Sequence, residues 1–509
     1  MKSRGQKAMI NTAVLGLNQL ITFACGLILP RYLLVSFGSD YNGVVSSITQ
    51  FLGFISILHI GIAGSTRFNL YKVLADNDIK GISGIVNATE RYMRKVGIVL
   101  IAYIAVLAFV YPYIASTQIP ASEVGLLVLI VGASSVSQYF FGITYHMLLV
   151  ADQRQYVYNI LSSIATVLNV IIAVLLIISG QNIFVVKAGS AVIFVMVPIL
   201  LSVYVRKKYN IDKKVPPDKT GLKGRWDVMW HSIANIVHDK TDLVVLTLFN
   251  DIKLVSVYTV YYLVVNGLYK ILSIFTNSLE AAFGNMFAKK EVKTAYKNLE
   301  LYEFFMCAFV SVVFSVALVL IVPFVKIYTK DITDINYIEP LFAGVAVIAQ
   351  MVMCIRQPYL TVVQASGHYK QTRNGAFVEA GLNIVISVVL THRFGLVGVA
   401  IGTLVANLFR TLQYAFYLSK NILHRPVSKP LLMMLWTALN VFVVYVIGKQ
   451  FIGLIGVSSW LDWALLGIIC VIIALLTTGL TAVIFHKKKL FSTVKLFKNL
   501  LIKKKSHRR

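Results

Sequence analysis

Long apolar runs recur along this chain too often for a water-soluble fold. A helix needs roughly 20 apolar residues to cross the hydrocarbon core of a bilayer. Segments of that kind occur at 9–37, 42–67, 96–113, 124–150, 156–179, 184–205, 226–249, 254–287, 304–325, 337–363, 372–391, 395–418, 431–447 and 463–485. With 58% hydrophobic residues and a mean hydropathy of +0.76, the sequence predicts an all-α membrane protein of about fourteen transmembrane helices. The loops between the runs are short, which excludes a large soluble catalytic domain.

The chain carries 48 Lys plus Arg against 21 Asp plus Glu, a net charge of +27. A nucleic-acid binder would display such charge on a solvated surface; here it punctuates apolar helices, so no nucleic-acid partner is expected. Basic residues are retained in cytoplasmic loops, and their bias sets topology. Placing the N-terminus and every second loop inside collects most of them. The opposite loops hold only Lys253, Lys326, Lys330, Arg393 and Lys449. Both termini are therefore expected in the cytoplasm. Seven basic residues remain within the spans: Arg31, Arg67, Lys187, Lys240, Lys270, Arg356 and Arg410.

Lys2, Arg4 and Lys7 precede an apolar run without a small-residue cleavage site, so the first run reads as an uncleaved helix and not a signal peptide. Cys25, Cys307, Cys354 and Cys470 lie in apolar segments without paired spacing and read as packing residues. No Walker loop is present, and the histidines lack a metal-ligand cluster. An enzyme and a resident cofactor are both unexpected.

The runs group into two sets of six, at 1–206 and 226–420, divided by a basic Pro-containing linker at 207–225 and followed by two extra spans within 431–485. The tail, 486–509, mixes Lys and Arg with apolar residues, as in a helix lying on anionic headgroups. The two sets resemble each other. Leu168 to Val174 reads LNVIIAV, and Leu382 to Val388 reads LNIVISV, 214 residues later; Tyr145 meets Tyr359 and Ala151 meets Ala365 at the same offset. Both sets begin inside, so the two six-helix lobes should be related by an axis along the membrane normal, a recurrent transporter architecture.

Several spans carry polar stripes. His231, Asn235, His238 and Asp242 share one helix face, with Asp239 and Lys240 beside it. Asn266, Lys270, Ser273, Asn277 and Glu280 repeat the pattern, and Thr49, Ser56, His59 and Arg67 form a milder version. Glu379 and Asn383 lie one turn apart. A charge at the bilayer centre costs about 2.5–3.5 kcal/mol on insertion scales, so these faces should meet water or protein. Arg67, Lys187 and Arg410 sit near span ends, where snorkelling accounts for them. Arg31, Lys240, Lys270 and Arg356 lie deeper. With Arg67 they form the candidate site for an anionic headgroup, since Arg suits phosphate oxygens. His59, His231, Asn235, His238, Asn266, Asn277 and Asn383 are candidate sugar contacts. Asp239, Asp242, Glu280 and Glu379 are candidates for proton or sodium coupling.

At Leu29, Pro30, Arg31, Tyr32, at Leu70 to Lys72 followed by Ala75 to Asp78, and above all through ASGHYKQTRNGAFVEAGLNIVISVV and FGLVGVAIGT between Arg356 and Arg410, the chain resembles the Wzx-type lipid-linked oligosaccharide flippases of the multidrug/oligosaccharidyl-lipid/polysaccharide exporter (MOP) superfamily. The resemblance implies two six-helix lobes that alternate access across a bacterial plasma membrane. Its implied passenger is an oligosaccharide repeat unit on a polyprenyl pyrophosphate, moved to the outer leaflet for capsule or O-antigen synthesis beside polymerases and glycosyltransferases. The two extra spans look like those of relatives that flip the peptidoglycan precursor. A cation-coupled drug or metabolite antiporter of the same superfamily is the competing transporter reading, although it would favour an acidic cavity. A scaffold acting through the basic tail is the competing non-transport reading.

Overall fold

The computed structural model describes residues 4–218, 226–289 and 291–506. Those residues form fifteen helices and no strand: α1 Arg4–Gly53, α2 Ile57–Ala75, α3 Ile79–Ile114, α4 Ala121–Ser137, α5 Ile143–Ala151, α6 Tyr156–Ile178, α7 Ile183–Tyr209, α8 Trp226–Phe249, α9 Ile252–Ala288, α10 Val292–Tyr328, α11 Pro340–Ile355, α12 Gln357–Ala365, α13 Tyr369–Tyr417, α14 Ser428–Ile455 and α15 Trp460–Ser506. The protein is a multi-pass, all-α membrane protein, as its hydropathy pattern predicts.

Among the described residues, eleven continuous helical segments are long and apolar enough to cross a membrane. Two of them hold two predicted spans each. In α1 the first two spans join at Gly38, whose φ of 81° departs from the helix; in α13 the eleventh and twelfth join at Gly395, with φ 50°. Glycine adopts positive φ without the Cβ clash that other residues meet. The predicted seventh span, α8, is not among the eleven, because His238, Asp239, Lys240 and Asp242 interrupt its apolar character.

The chain divides into two compact units: residues 1–263 with 331–335 and 388–399, and residues 264–330 with 336–387 and 400–509. In the first, α3 packs on α4, α6 on α1 and α7, and α8 on α1 and α2. In the second, α10 packs against α11, α14 and α15. Trp463 and Cys470 join the apolar cluster that fixes α15 to α10. Trp436, Cys307 and Phe304 join another, with Trp436 and Phe304 stacked at 5.7 Å.

Local structure repeats at the offset legible in the sequence. The fourth span is interrupted by a π-helical turn at Gln138–Gly142, between α4 and α5; the tenth is interrupted at Arg356, between α11 and α12. Helix α5 ends at Ala151 and α12 at Ala365. Past those ends, Asp152 N–H donates to Leu148 O, Gln153 N–H to Val150 O and Arg154 N–H to Leu149 O; Ser366, Gly367 and His368 make the same three bonds to Val362, Gln364 and Val363. Gln153 and Gly367 both have positive φ.

Ionic clusters recur as well. In the first unit Arg206 Nη2 lies 3.2 Å from Glu90 Oε1, and its Nε donates to Tyr145 Oη at 2.6 Å. In the second, Arg425 grips Glu303 beside the fully buried Tyr359. Each cluster ties an extended helix, α3 or α10, to the short helix below a broken span.

Candidate functional site

The deep basic residues do not have equivalent surroundings. In the first unit Lys240, on α8, is half-buried, and its terminal methylene and ammonium lie against Gly53, where α1 gives way to a 3₁₀ turn. A Cβ on Gly53 would sit 2.9 Å from Lys240 Cε and 3.0 Å from Nζ. Glycine at this break therefore makes the space that the lysine occupies. Asp239 is its electrostatic neighbour and is exposed.

The α8 stripe is split by burial. Asn235 is exposed, whereas His238 and Asp242 are buried at 7% and 5%. Asp242 Oδ2 accepts a hydrogen bond from Tyr258 at 2.9 Å, and Tyr258 stacks on Tyr262 at 4.0 Å. His59 shares a 2.9 Å hydrogen bond with the Tyr139 hydroxyl. Arg67 Nε donates to Ala63 O, within its own helix. Arg31 forms an ion pair with Asp331 at 3.1 Å.

In the second unit Lys270 and Asn266 lie one turn apart on α9, and both are exposed; Glu280 is half-buried. Lys270 has no ion pair among the described residues. His231 and Asn277 are on α8 and α9, but their side chains lie outside the described residues. Arg356 is only 7% exposed, and its Nη1 bonds Glu379 Oε1. Asn383 is fully buried and donates to Thr403 Oγ1 at 2.9 Å.

Arg410 departs from expectation. Its place near a span end predicts snorkelling, yet it is 1% exposed. Its Nε lies 3.4 Å from Glu379 Oε2, and its other nitrogens donate to Thr372 O, Gln413 Oε1 and Tyr414 Oη. Two guanidiniums thus share one carboxylate, so this buried cluster keeps a net positive charge with both arginines already engaged. Removing Glu379 would leave two buried guanidiniums without a carboxylate.

Five connections assigned to the outer face by the charge bias meet within the first unit. Ser39 N–H and Oγ–H donate to Asp334 at 2.7 and 2.8 Å. Tyr41 donates to Glu123 at 2.7 Å, and Ile252 N–H to Ser116 O at 3.2 Å. Asn250 donates to Thr391 at 3.0 Å, and Lys253 pairs with Asp40 at 3.4 Å. Sequence patterning did not reveal these partners, because they are polar residues of short loops far apart along the chain.

No family model and no curated protein matches the chain. Solved structures do. The lipid II flippase MurJ, in an inward closed conformation, superposes with a TM-score of 0.68 over 94% of this chain and 100% of its own, at 15% identity. An inward-facing multidrug resistance MATE family transporter of the MOP superfamily gives 0.59 over 82% and 98%, at 13% identity. A MOP superfamily transporter from Pyrococcus furiosus gives 0.57 over 83% and 97%, at 10% identity. At these identities the likeness establishes the architecture: the chain has the fold of MOP superfamily transporters.

Proposed function

We propose that the protein is a flippase that carries polyprenyl-pyrophosphate-linked oligosaccharide units from the cytoplasmic to the outer leaflet, for cell-surface polysaccharide synthesis, by alternating access. Lys270 carries this reading. It stands 18 residues into the 37-residue α9, exposed and without an ion pair among the described residues. An ammonium within a membrane-spanning helix is costly against lipid. A hydrated path with an anionic passenger meets that requirement, and Asn266, one turn away, offers an amide to sugar hydroxyls. Lys240, held over Gly53, supplies a second ammonium in the other unit.

A drug antiporter of the same fold would attract cations with free carboxylates. Here Glu379 is engaged by two guanidiniums and Asp242 by a tyrosine. Asp239 and Glu280 remain as candidates for proton or sodium coupling. The peptidoglycan-precursor reading has its own support: the likeness to MurJ extends beyond that to MATE transporters by the length of about two membrane helices. Both lipid readings use the same pyrophosphate chemistry. Mass spectrometry of lipid-linked glycans in a depletion strain separates the three. Accumulating oligosaccharide-lipid supports the flippase, accumulating peptidoglycan precursor supports the MurJ-like role, and unchanged lipid pools with altered drug sensitivity support the antiporter.

A further inference from the structure

A groove of about 520 Å³ runs along one face of the second half of α13, within the second unit; its lining includes Phe409, Leu412, Gln413, Phe416, Tyr417 and Lys420. From Phe409 to Lys420 it follows the helix for about 16 Å, half of a hydrocarbon core roughly 30 Å thick. That is the depth of one leaflet. Its polar wall groups are committed elsewhere: Gln413 Oε1 accepts from Arg410, and the Tyr417 hydroxyl shares a 2.8 Å hydrogen bond with His368 Nδ1. Lys420 differs, being exposed and without a hydrogen bond or ion pair among the described residues. It stands at the end of the twelfth span, which the basic loops place at the cytoplasmic face.

The corresponding residue of the first unit is engaged. Lys420 lies 214 residues after Arg206, which is tied to Glu90 and Tyr145. Helix α7 continues past Arg206 to Tyr209, whereas α13 ends in a π-helical turn at Leu418–Ile422. Such turns occur frequently at functional sites. Beyond the turn it is Arg425 that grips Glu303, and Lys420 is left at the mouth of an apolar groove.

We propose that this groove binds an anionic phospholipid of the inner leaflet, with an acyl chain along Phe409, Leu412 and Phe416 and the phosphodiester on Lys420. One ammonium balances the single charge of a phosphodiester, whereas a pyrophosphate carries more charge than this site answers. The occupant is thus a resident bilayer lipid and not the passenger. Basic residues at the cytoplasmic interface attract anionic lipids, and the apolar face fixes where the lipid sits. The site lies within one unit and is independent of what the protein transports.

Native mass spectrometry of the purified, delipidated full-length protein tests the site, with phosphatidylglycerol and phosphatidylcholine of identical acyl chains as probes. The parent should retain phosphatidylglycerol several-fold more than phosphatidylcholine. Lys420→Gln should bring phosphatidylglycerol down to the phosphatidylcholine level, while Lys208→Gln, at an exposed lysine of the first unit, should leave the preference intact. Leu412→Trp, which fills the groove, and Phe416→Ala, which removes part of its wall at an exposed side chain, should each lower retention of both lipids. An unchanged melting temperature shows that a variant is folded. Equal retention of the two lipids by the parent, a preference that survives Lys420→Gln, or one lost equally in Lys208→Gln overturns the headgroup contact. Retention unmoved by both groove variants overturns the groove.

Discussion

Arg425 holds Glu303 with two guanidinium nitrogens, at 2.6 and 2.7 Å, and each side chain is 1% exposed. Its counterpart in the first half, Arg206 with Glu90, is looser: the distance is 3.2 Å and Arg206 is one-third exposed. The tyrosines beside the two pairs, Tyr145 and Tyr359, fall at the offset of the sequence repeat. The difference in burial gives the two copies different energetic weight.

Arg425→Ala should therefore be the more damaging change. Breaking a fully buried pair costs about 3–5 kcal/mol because a charge is left without a partner. Arg206→Ala leaves Glu90 with Arg94, at 2.7 Å, and should cost less. Thermal unfolding of the purified protein in detergent should show a clearly larger loss for Arg425→Ala, and equal losses would contradict this ranking.

Gly53→Ala should act through Lys240. The added methyl meets the flexible end of the lysine, so folding should survive while the ammonium moves. Transport by Gly53→Ala should fall toward that of Lys240→Ala, and the double variant should be no worse than Lys240→Ala alone. Neighbours that act through one another depart from additivity in this way. Additive losses would mean that the glycine serves some other purpose.

Gly402→Ala should destabilise the hairpin of α13. A Cβ there would lie 2.9 Å from Ser387 N and 3.1 Å from Asn383 O, and would also meet Ser387 Oγ. Small residues let membrane helices approach this closely, and overpacking such a contact costs about 1–3 kcal/mol. A lowered melting temperature with unchanged insertion checks it. Gly381→Ala, with open space around the new methyl, should have no comparable effect.

Most of the helices were legible because each apolar run reports its own burial in lipid. The kinks at Gly38 and Gly395 were not, since a helix that resumes after one residue leaves the hydropathy pattern unbroken. Tyr145 and Tyr359 marked the repeat. Glu90 and Glu303 did not, because α3 and α10 extend well past their apolar stretches and both residues read as loop charges. The candidate site was visible as a set of intramembrane charges, but their pairing depends on residues far apart in sequence. Arg356 and Arg410 converge on Glu379, and Arg31 finds Asp331, 300 positions away. Lys240, with Asp239 as its electrostatic neighbour, and Lys270 are the deep lysines that make no ion pair among the described residues.

The central claim is that Lys240 in one unit and Lys270 in the other are each needed to carry an anionic lipid. Its most direct test is translocation of a polyprenyl-pyrophosphate-linked oligosaccharide by purified protein in proteoliposomes, comparing the parent with the Lys240→Ala/Lys270→Ala double variant. The account predicts flipping by the parent and its loss in a double variant that still inserts and unfolds like the parent. Flipping at the parent rate by the double variant would contradict it.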